Sequence, residues 1–380
     1  MHLFRTPSRE QPPHTSRAMC ECNMSLTRGE NMMKRYLSFG ARSAVIAVLF
    51  ILVYEMICVV VVPKYEFGDN WSTTTRALEF YDLEEDSVDV LFLGSSQALA
   101  AFNPQELYNE YGITSYNLGS PLQSLVVSYY WLEEALATQH PSVVVLEPYM
   151  LFTYDSSNGL NSDQASVRMA MDYMKPDTVK WAAVQTICSL DPRQTVLSYM
   201  LPAVRYHARW TELEPKDFLW SEMGEDTGLL GYELRTGTTE EAYDPLSSID
   251  GSAVTEMEPV MREYLDRITA RCLEQGIYLI LAKTPTCGYE SGRHNVLTEY
   301  ALENQLAFYD FNTLGLYQST GFDFGSDMAD GYHANLSGSE KITSFLGEEL
   351  QSIYGLAAHT DKHWEYTAEI YEETIRGLQE

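Results

Sequence analysis

Basic residues are scarce in this chain. Its 25 Lys and Arg face 54 Asp and Glu, a formal net charge of −29, and so acidic a surface disfavours nucleic acid and anionic lipid as partners. Cysteine is thin as well, six in 380 residues. Only Cys188, Cys272 and Cys287 follow the one long apolar stretch. Three cysteines at no metal-ligand spacing leave room for a single disulfide and exclude a disulfide framework. There is no internal repeat, and neither a metal nor a cofactor is expected. Hydrophobic residues nevertheless make up 45% of the chain, which supports a true core.

The apolar stretch covers residues 43–62, SAVIAVLFILVYEMICVVVV, with Glu55 as its one charge. About 20 residues is the length a helix needs to cross a bilayer. Seven basic and three acidic residues precede it; 18 basic and 50 acidic residues follow. The positive-inside rule then predicts a single-pass signal-anchor with a cytoplasmic N-terminus and an extracytoplasmic bulk. A cleaved signal peptide is the rival reading, but the run is long for one and Val-Val-Pro-Lys-Tyr offers no small-x-small cleavage site. Residues 1–42, rich in Ser, Thr, Arg and Met without periodicity, are expected to be a disordered basic tail. Residues 63–86 read as a juxtamembrane linker.

Beyond it, strands and helices alternate. SVDVLFLG (87–94), residues 113–118 and SVVVLE (142–147) read as short, nearly continuous apolar strands. Between them Asn103-Pro104-Gln105-Glu106 opens a helix with an N-cap, a first-turn proline and an acid at N3, and a second helix is expected from Ser120 to about Thr138. From about 152 to 251 the pattern breaks into aromatic helical and loop-like sequence, an insertion. It resumes with a helix over 255–275, a strand over 277–282, a helix over 295–304, a strand over 307–311 and a helix over 337–354. Residues 356–380 look like a polar helical tail. Alternation with buried strands predicts an α/β three-layer sandwich over 87–355, its central parallel sheet covered on both faces.

Two segments can carry chemistry. Gly94-Ser95-Ser96 lies directly after the first strand, where ligands collect in parallel sheets. A serine there sits beside unpaired N–H groups at a helix start, which a tetrahedral oxyanion requires. Asp330-Gly-Tyr-His333 precedes the last helix of the sheet domain. An Asp three residues before a His can hold its Nδ1–H and leave Nε2 as a base.

Together, VDVLFLGSSQALAAFNP and DMADGYHANLSGSEKIT resemble the blocks of the SGNH/GDSL-type hydrolase superfamily, in particular a membrane-anchored subgroup related to alginate O-acetylation and teichoic-acid D-alanylation. LILAKTPT with His294, and Tyr206-His207-Ala208-Arg209-Trp210, are similar to the same subgroup. The resemblance implies an SGNH/flavodoxin-like fold with Ser96 as nucleophile and Asp330 and His333 completing a triad. It also implies an extracytoplasmic esterase or O-acyltransferase acting on ester, most simply acetyl, groups of envelope glycans or related polymers. A multi-span membrane acyltransferase is an implied partner. For the oxyanion, the candidates are the N–H groups of Ser96 and Gly119 and the amides of Asn117 and Gln123. The sequence departs from the family at Gly-Ser-Ser-Gln, where Gly-Asp-Ser-Leu is usual, and at Glu147, which stands where an asparagine donor is usual; an ionised carboxylate cannot donate. That second departure motivates a rival reading, a non-catalytic polymer-binding or assembly protein on the same fold. Glu147, Tyr149, His207, Arg209 and His294 are the candidate substrate-binding residues.

Overall fold

The computed structural model describes residues 15–65, 72–218 and 227–379. By its contacts the chain divides into residues 1–59 and residues 60–380. Helix α1 spans Thr15–Val61 and makes up the described part of the first unit, its last two residues belonging to the second. Its stretch Phe39–Val61, 23 residues of mean hydropathy 2.9, is long and apolar enough to cross a membrane. Residues 15–42, expected to be disordered, are helical here: no proline interrupts 15–61, so a helix established in the apolar run propagates toward the N-terminus. Residues 1–14 lie outside the described residues.

The second unit is α/β. The expected linker contains a helix, α2 (Thr73–Asp82), capped by the Ser72 hydroxyl, which accepts from the N–H groups of Thr74 and Thr75. Then follow β1 (Val90–Leu93), α3 (Ser96–Ala101), α4 (Pro104–Tyr111), β2 (Ser115–Asn117), α5 (Leu125–Ala135) and β3 (Val143–Leu146). The insertion carries α6 (Gln164–Met171), α7 (Thr178–Leu190), α8 (Val196–Met200) and α9 (Pro202–Tyr206). The sheet domain resumes with α10 (Pro259–Gln275), β4 (Tyr278–Lys283), α11 (Ser291–Asn304), β5 (Ala307–Asp310), α12 (Leu314–Ser319), α13 (Phe324–Asp327) and α14 (Leu336–Ser352), and α15 (Lys362–Gln379) closes the chain.

All five strands are parallel, in the order β2-β1-β3-β4-β5. Their side chains alternate between two cores. Val90, Phe92, Val143, Val145 and Ile280 pack against α3, α4 and α14 through Phe102, Leu107 and Ile342. Leu91, Leu93, Val144, Leu146 and Leu279 face α5, α7 and α10 through Trp131, Val184 and Leu265. Burial on both faces is why the strands read as unbroken apolar runs.

Two helix starts move for local reasons. Helix α5 starts at Leu125, not Ser120, because Ser124 is its cap and Leu122 has a left-handed φ of 48°. Helix α10 starts at Pro259, with the Glu258 carboxylate accepting from Val260 and Met261 N–H. The tail helix α15 is amphipathic rather than merely polar: Trp364 and Tyr371 are buried, and the Gln105 amide on α4 donates to the Trp364 carbonyl at 3.3 Å. The end of the insertion lies along β2, where Asn117 N–H donates to Leu230 O at 3.0 Å. Gly231, at φ +85°, approaches so closely that a Cβ there would fall 2.0 Å from the Asn117 carbonyl oxygen.

The chain crosses from one side of β1 to the other between β2 and β3. That reversal of strand order opens a crevice at the carboxyl ends of β1 and β3, the usual ligand position in open parallel sheets.

Candidate active site

Ser96 sits in this crevice because β1 ends in a turn that only glycine allows. Gly94 has φ +145°, and a Cβ there would lie 2.8 Å from Glu147 Cβ and 2.9 Å from Ala98 Cβ. Ser95 then caps α3, accepting from Gln97 N–H at 3.3 Å while its hydroxyl donates to Glu147 Oε2 at 3.0 Å. Ser96, the next residue, is the first of α3. Its N–H has no hydrogen-bond partner among the described residues.

His333 arrives from the loop between α13 and α14. A bridge between Met328 and Ala334 closes that loop, and Asn335 caps α14 by accepting from Gly338 N–H at 3.1 Å. Asp330 Oδ1 accepts the N–H groups of Tyr332 at 2.8 Å and His333 at 3.0 Å, which fixes the carboxylate before it meets the imidazole. His333 Nδ1 is 2.8 Å from Asp330 Oδ2, and its Nε2 is 2.8 Å from Ser96 Oγ. The serine, histidine and aspartate, 237 residues apart at their widest step, thus form one hydrogen-bonded row. Burial alone pushes the Asp330 carboxyl up. The hydrogen bond and charge of His333, the Tyr332 N–H and the Arg235 charge outweigh it and hold the group at about 2. Arg235, at the end of the insertion, reaches Asp330 Oδ2 at 3.4 Å and Glu233 at 3.0 Å.

The expected oxyanion donors are mostly spent elsewhere. Asn117 is buried and both Nδ2 hydrogens go to carbonyls, those of Ala98 at 3.0 Å and Phe102 at 2.9 Å. Gly119 N–H donates to Asn117 Oδ1 at 3.0 Å. The Gln123 amide donates to Leu118 O and Ser128 Oγ, both at 3.1 Å. These three stabilise the turn after β2, and Ser96 N–H alone keeps an unspent hydrogen.

Glu147 has a different task from the one its sequence position suggests. Fully buried at the end of β3, it accepts from Ser95 Oγ and, at 3.0 Å, from Tyr149 N–H, and it faces Lys283 Nζ at 3.3 Å. Burial pushes the Glu147 carboxyl up and the Lys283 ammonium down, and each charge counters the shift of the other. Lys283, at the end of β4, also donates to Gln97 Oε1 at 2.5 Å, Thr286 Oγ1 at 2.8 Å and the Thr284 carbonyl at 2.9 Å. Gln97 Oε1 accepts further from the Thr284 and Thr286 hydroxyls at 3.1 and 3.0 Å. Its Nε2 is buried without a partner. The ammonium dictates this orientation, since a turned amide would set its NH₂ against Nζ. Sequence reasoning missed Gln97, Lys283 and Arg235. The signal for the first two was present, a lysine ending a buried strand and a glutamine beside the serine.

The remaining candidates separate. Tyr149 lies beside the buried pair, its ring centroid 5.6 Å from Lys283 Nζ, and burial first, then the Glu147 charge, pushes its phenol up. His294 does not join it. Its Nδ1 meets Asp310 Oδ2 at 2.7 Å, and it faces a cleft of about 360 Å³ at the β5 edge whose walls include neither Ser96 nor His333. His207 and Arg209 are also elsewhere: exposed His207 bonds the Val204 carbonyl through Nδ1, and Arg209 grips both Asp217 oxygens at 2.9 Å. Among the described residues no group of three or more His, Cys, Asp or Glu stands ready to hold a metal.

No family model matches this chain, and no curated protein matches it.

Proposed function

We propose that this protein is an extracytoplasmic serine esterase or O-acyltransferase of the SGNH/GDSL type, acting on ester groups of envelope glycans or related polymers. The observation that carries the reading is the 2.8 Å contact of Ser96 Oγ with His333 Nε2, continued to Asp330 at 2.8 Å. That is hydrogen-bond reach for nucleophile and base, with the base oriented by a third group.

In the proposed reaction Ser96 Oγ attacks the ester carbonyl as its proton passes to His333 Nε2. Asp330 keeps the imidazole in the tautomer with hydrogen on Nδ1 and balances the imidazolium that forms. Collapse of the tetrahedral intermediate breaks the bond to the leaving alcohol, which takes the proton from His333 and leaves an acyl-Ser96. Water, or an acceptor hydroxyl in the transferase case, gives its proton to His333 and attacks the acyl carbon; the second tetrahedral intermediate then breaks its bond to Ser96 Oγ, which takes the proton back from His333 Nε2.

For the oxyanion we assign Ser96 N–H and Gln97 Nε2. Both donors are unspent, and the Gln97 amide is held rigidly by Lys283, as preorganised stabilisation requires. The buried Glu147–Lys283 pair then replaces the usual asparagine indirectly: it supplies no donor and instead aims one. The glycan and acetyl assignments rest on the family resemblance and on a membrane anchor with the bulk of the chain outside. Incubation with p-nitrophenyl acetate and with a fluorophosphonate probe tests the reading. Turnover and labelling that Ser96→Ala removes support it, and a polymer-binding role without chemistry is the reading left if neither occurs.

A further inference from the structure

The segment Tyr206-His207-Ala208-Arg209-Trp210 does not reach the candidate active site, and its surroundings suggest another task. Among the described residues, five of the fifteen large apolar residues exposed outside the long helix fall within residues 197–218. Leu197, Leu201 and Val204 are 55%, 39% and 45% exposed, and Trp210 is 70% exposed. Leu197 lies on α8, Leu201 at the non-helical break between α8 and α9 (φ −127°, ψ 78°), and Val204 on α9, so the three make an apolar ridge carried by two adjoining short helices. Over residues 196–218 three basic residues (Arg205, Arg209, Lys216) balance three acidic ones (Glu212, Glu214, Asp217), in a chain of net charge −29. This segment therefore carries none of the chain's net negative charge, and repulsion from an anionic surface is weak here.

The same segment holds the chain where it leaves the apolar helix. Arg209 Nη1 donates to the carbonyl of Val61, the last residue of α1, at 2.9 Å. Tyr173 donates to the Pro63 carbonyl at 3.1 Å. The Tyr65 hydroxyl meets Tyr206 at 2.6 Å and Asp172 at 2.7 Å. An extended chain spans at most about 3.5 Å per residue, so all these contacts lie within roughly 14 Å of chain from Val61. The headgroup zone on each side of the ~30 Å hydrocarbon core is roughly 5–8 Å deep, so that length of chain reaches no further than the zone and the first layer beyond it.

We infer that the ridge Leu197–Leu201–Val204–Trp210 is a lipid-contacting surface that rests in the headgroup and upper acyl region of the bilayer entered by residues 39–61. The partner is the lipid surface itself. Its binding is apolar, with Trp210 at the level where indoles collect. Arg209 and Tyr206 are positioning residues, tying the ridge to the exit of the helix. The inference rests on that helix crossing the membrane and is independent of the chemistry at Ser96.

The test uses the full chain reconstituted in phosphatidylcholine nanodiscs, with a benzophenone amino acid at position 197, 201 or 204. Leu302 is the control, as apolar and more exposed at 75%, but on α11 next to the β5 edge of the sheet. Lipid adducts at the three ridge positions and none at Leu302 are expected, unchanged by 0.5 M salt. In the otherwise unaltered chain, brominated lipid should quench tryptophan fluorescence, and Trp210→Phe should remove most of that quenching. Adducts to protein only, equal lipid labelling at Leu302, or quenching indifferent to Trp210→Phe would each overturn the assignment.

Discussion

Lys283 Nζ lies 2.5 Å from Gln97 Oε1, so a buried cation on β4 orients the amide beside Ser96 on α3. Through this contact a lysine at one strand end and a glutamate at another, Glu147, act on the residue next to the candidate nucleophile. The first prediction follows from its polarity.

Gln97→Glu keeps an oxygen for Lys283 and removes the Nε2 donor. The expected result is a fall in kcat of about 10²–10³-fold, the cost of one oxyanion donor, with KM changed little. Steady-state kinetics on an ester substrate, alongside thermal unfolding, separates this from a structural defect. An unchanged kcat would dismiss Gln97 as donor.

Lys283→Met leaves Glu147 buried without its cation. Breaking a buried pair from one side costs about 3–5 kcal/mol, and urea unfolding should register a loss of that order. Pairing it with Glu147→Gln should recover part of the loss, because no uncompensated charge then remains.

Asp330→Asn should lower kcat by about 10⁴-fold, the drop expected when an amide replaces the orienting carboxylate of a serine triad. Its effect on stability has a defined sign. A carboxyl depressed in the folded state adds stability above its unfolded pKa, and that contribution disappears as pH falls from near 3.8 through about 2. The variant should flatten the stability profile in that window and leave its slope unchanged at higher pH. With 41% of the side chain exposed the effect is small, and urea midpoints taken across that range measure it.

Gly94→Ala meets both strain and collision. A left-handed φ of +145° and a Cβ only 2.8 Å from Glu147 Cβ should cost well beyond the ~1–3 kcal/mol of backbone strain alone. Chemical denaturation should show a severely destabilised chain.

Much of the architecture was legible because β1, β3 and β4 are buried on both faces and therefore read as unbroken apolar runs. The Asp330–His333 spacing and the glycine–serine turn after β1 were legible for the same local reason. Gln97, Lys283 and Arg235 were not, since their meaning arises only where the ends of separate elements converge. Asn117 and Gln123 misled because a side-chain amide near a strand end serves a turn carbonyl as readily as a substrate. The docking of α15 left a trace that composition hid: Trp364 and Tyr371, seven apart, are a buried stripe on an acidic helix. Arg209 was read as a candidate substrate ligand, and its partners are Asp217 and the Val61 carbonyl, contacts no local pattern announces.

The most direct test of the central claim is covalent labelling. A fluorophosphonate probe applied to the folded full chain, followed by peptide mapping, should place one phosphonyl group on Ser96, and Ser96→Ala and His333→Ala should each abolish it. Labelling that persists in Ser96→Ala, or a wild-type chain that takes up no probe and turns over no ester, would contradict a serine nucleophile at this site.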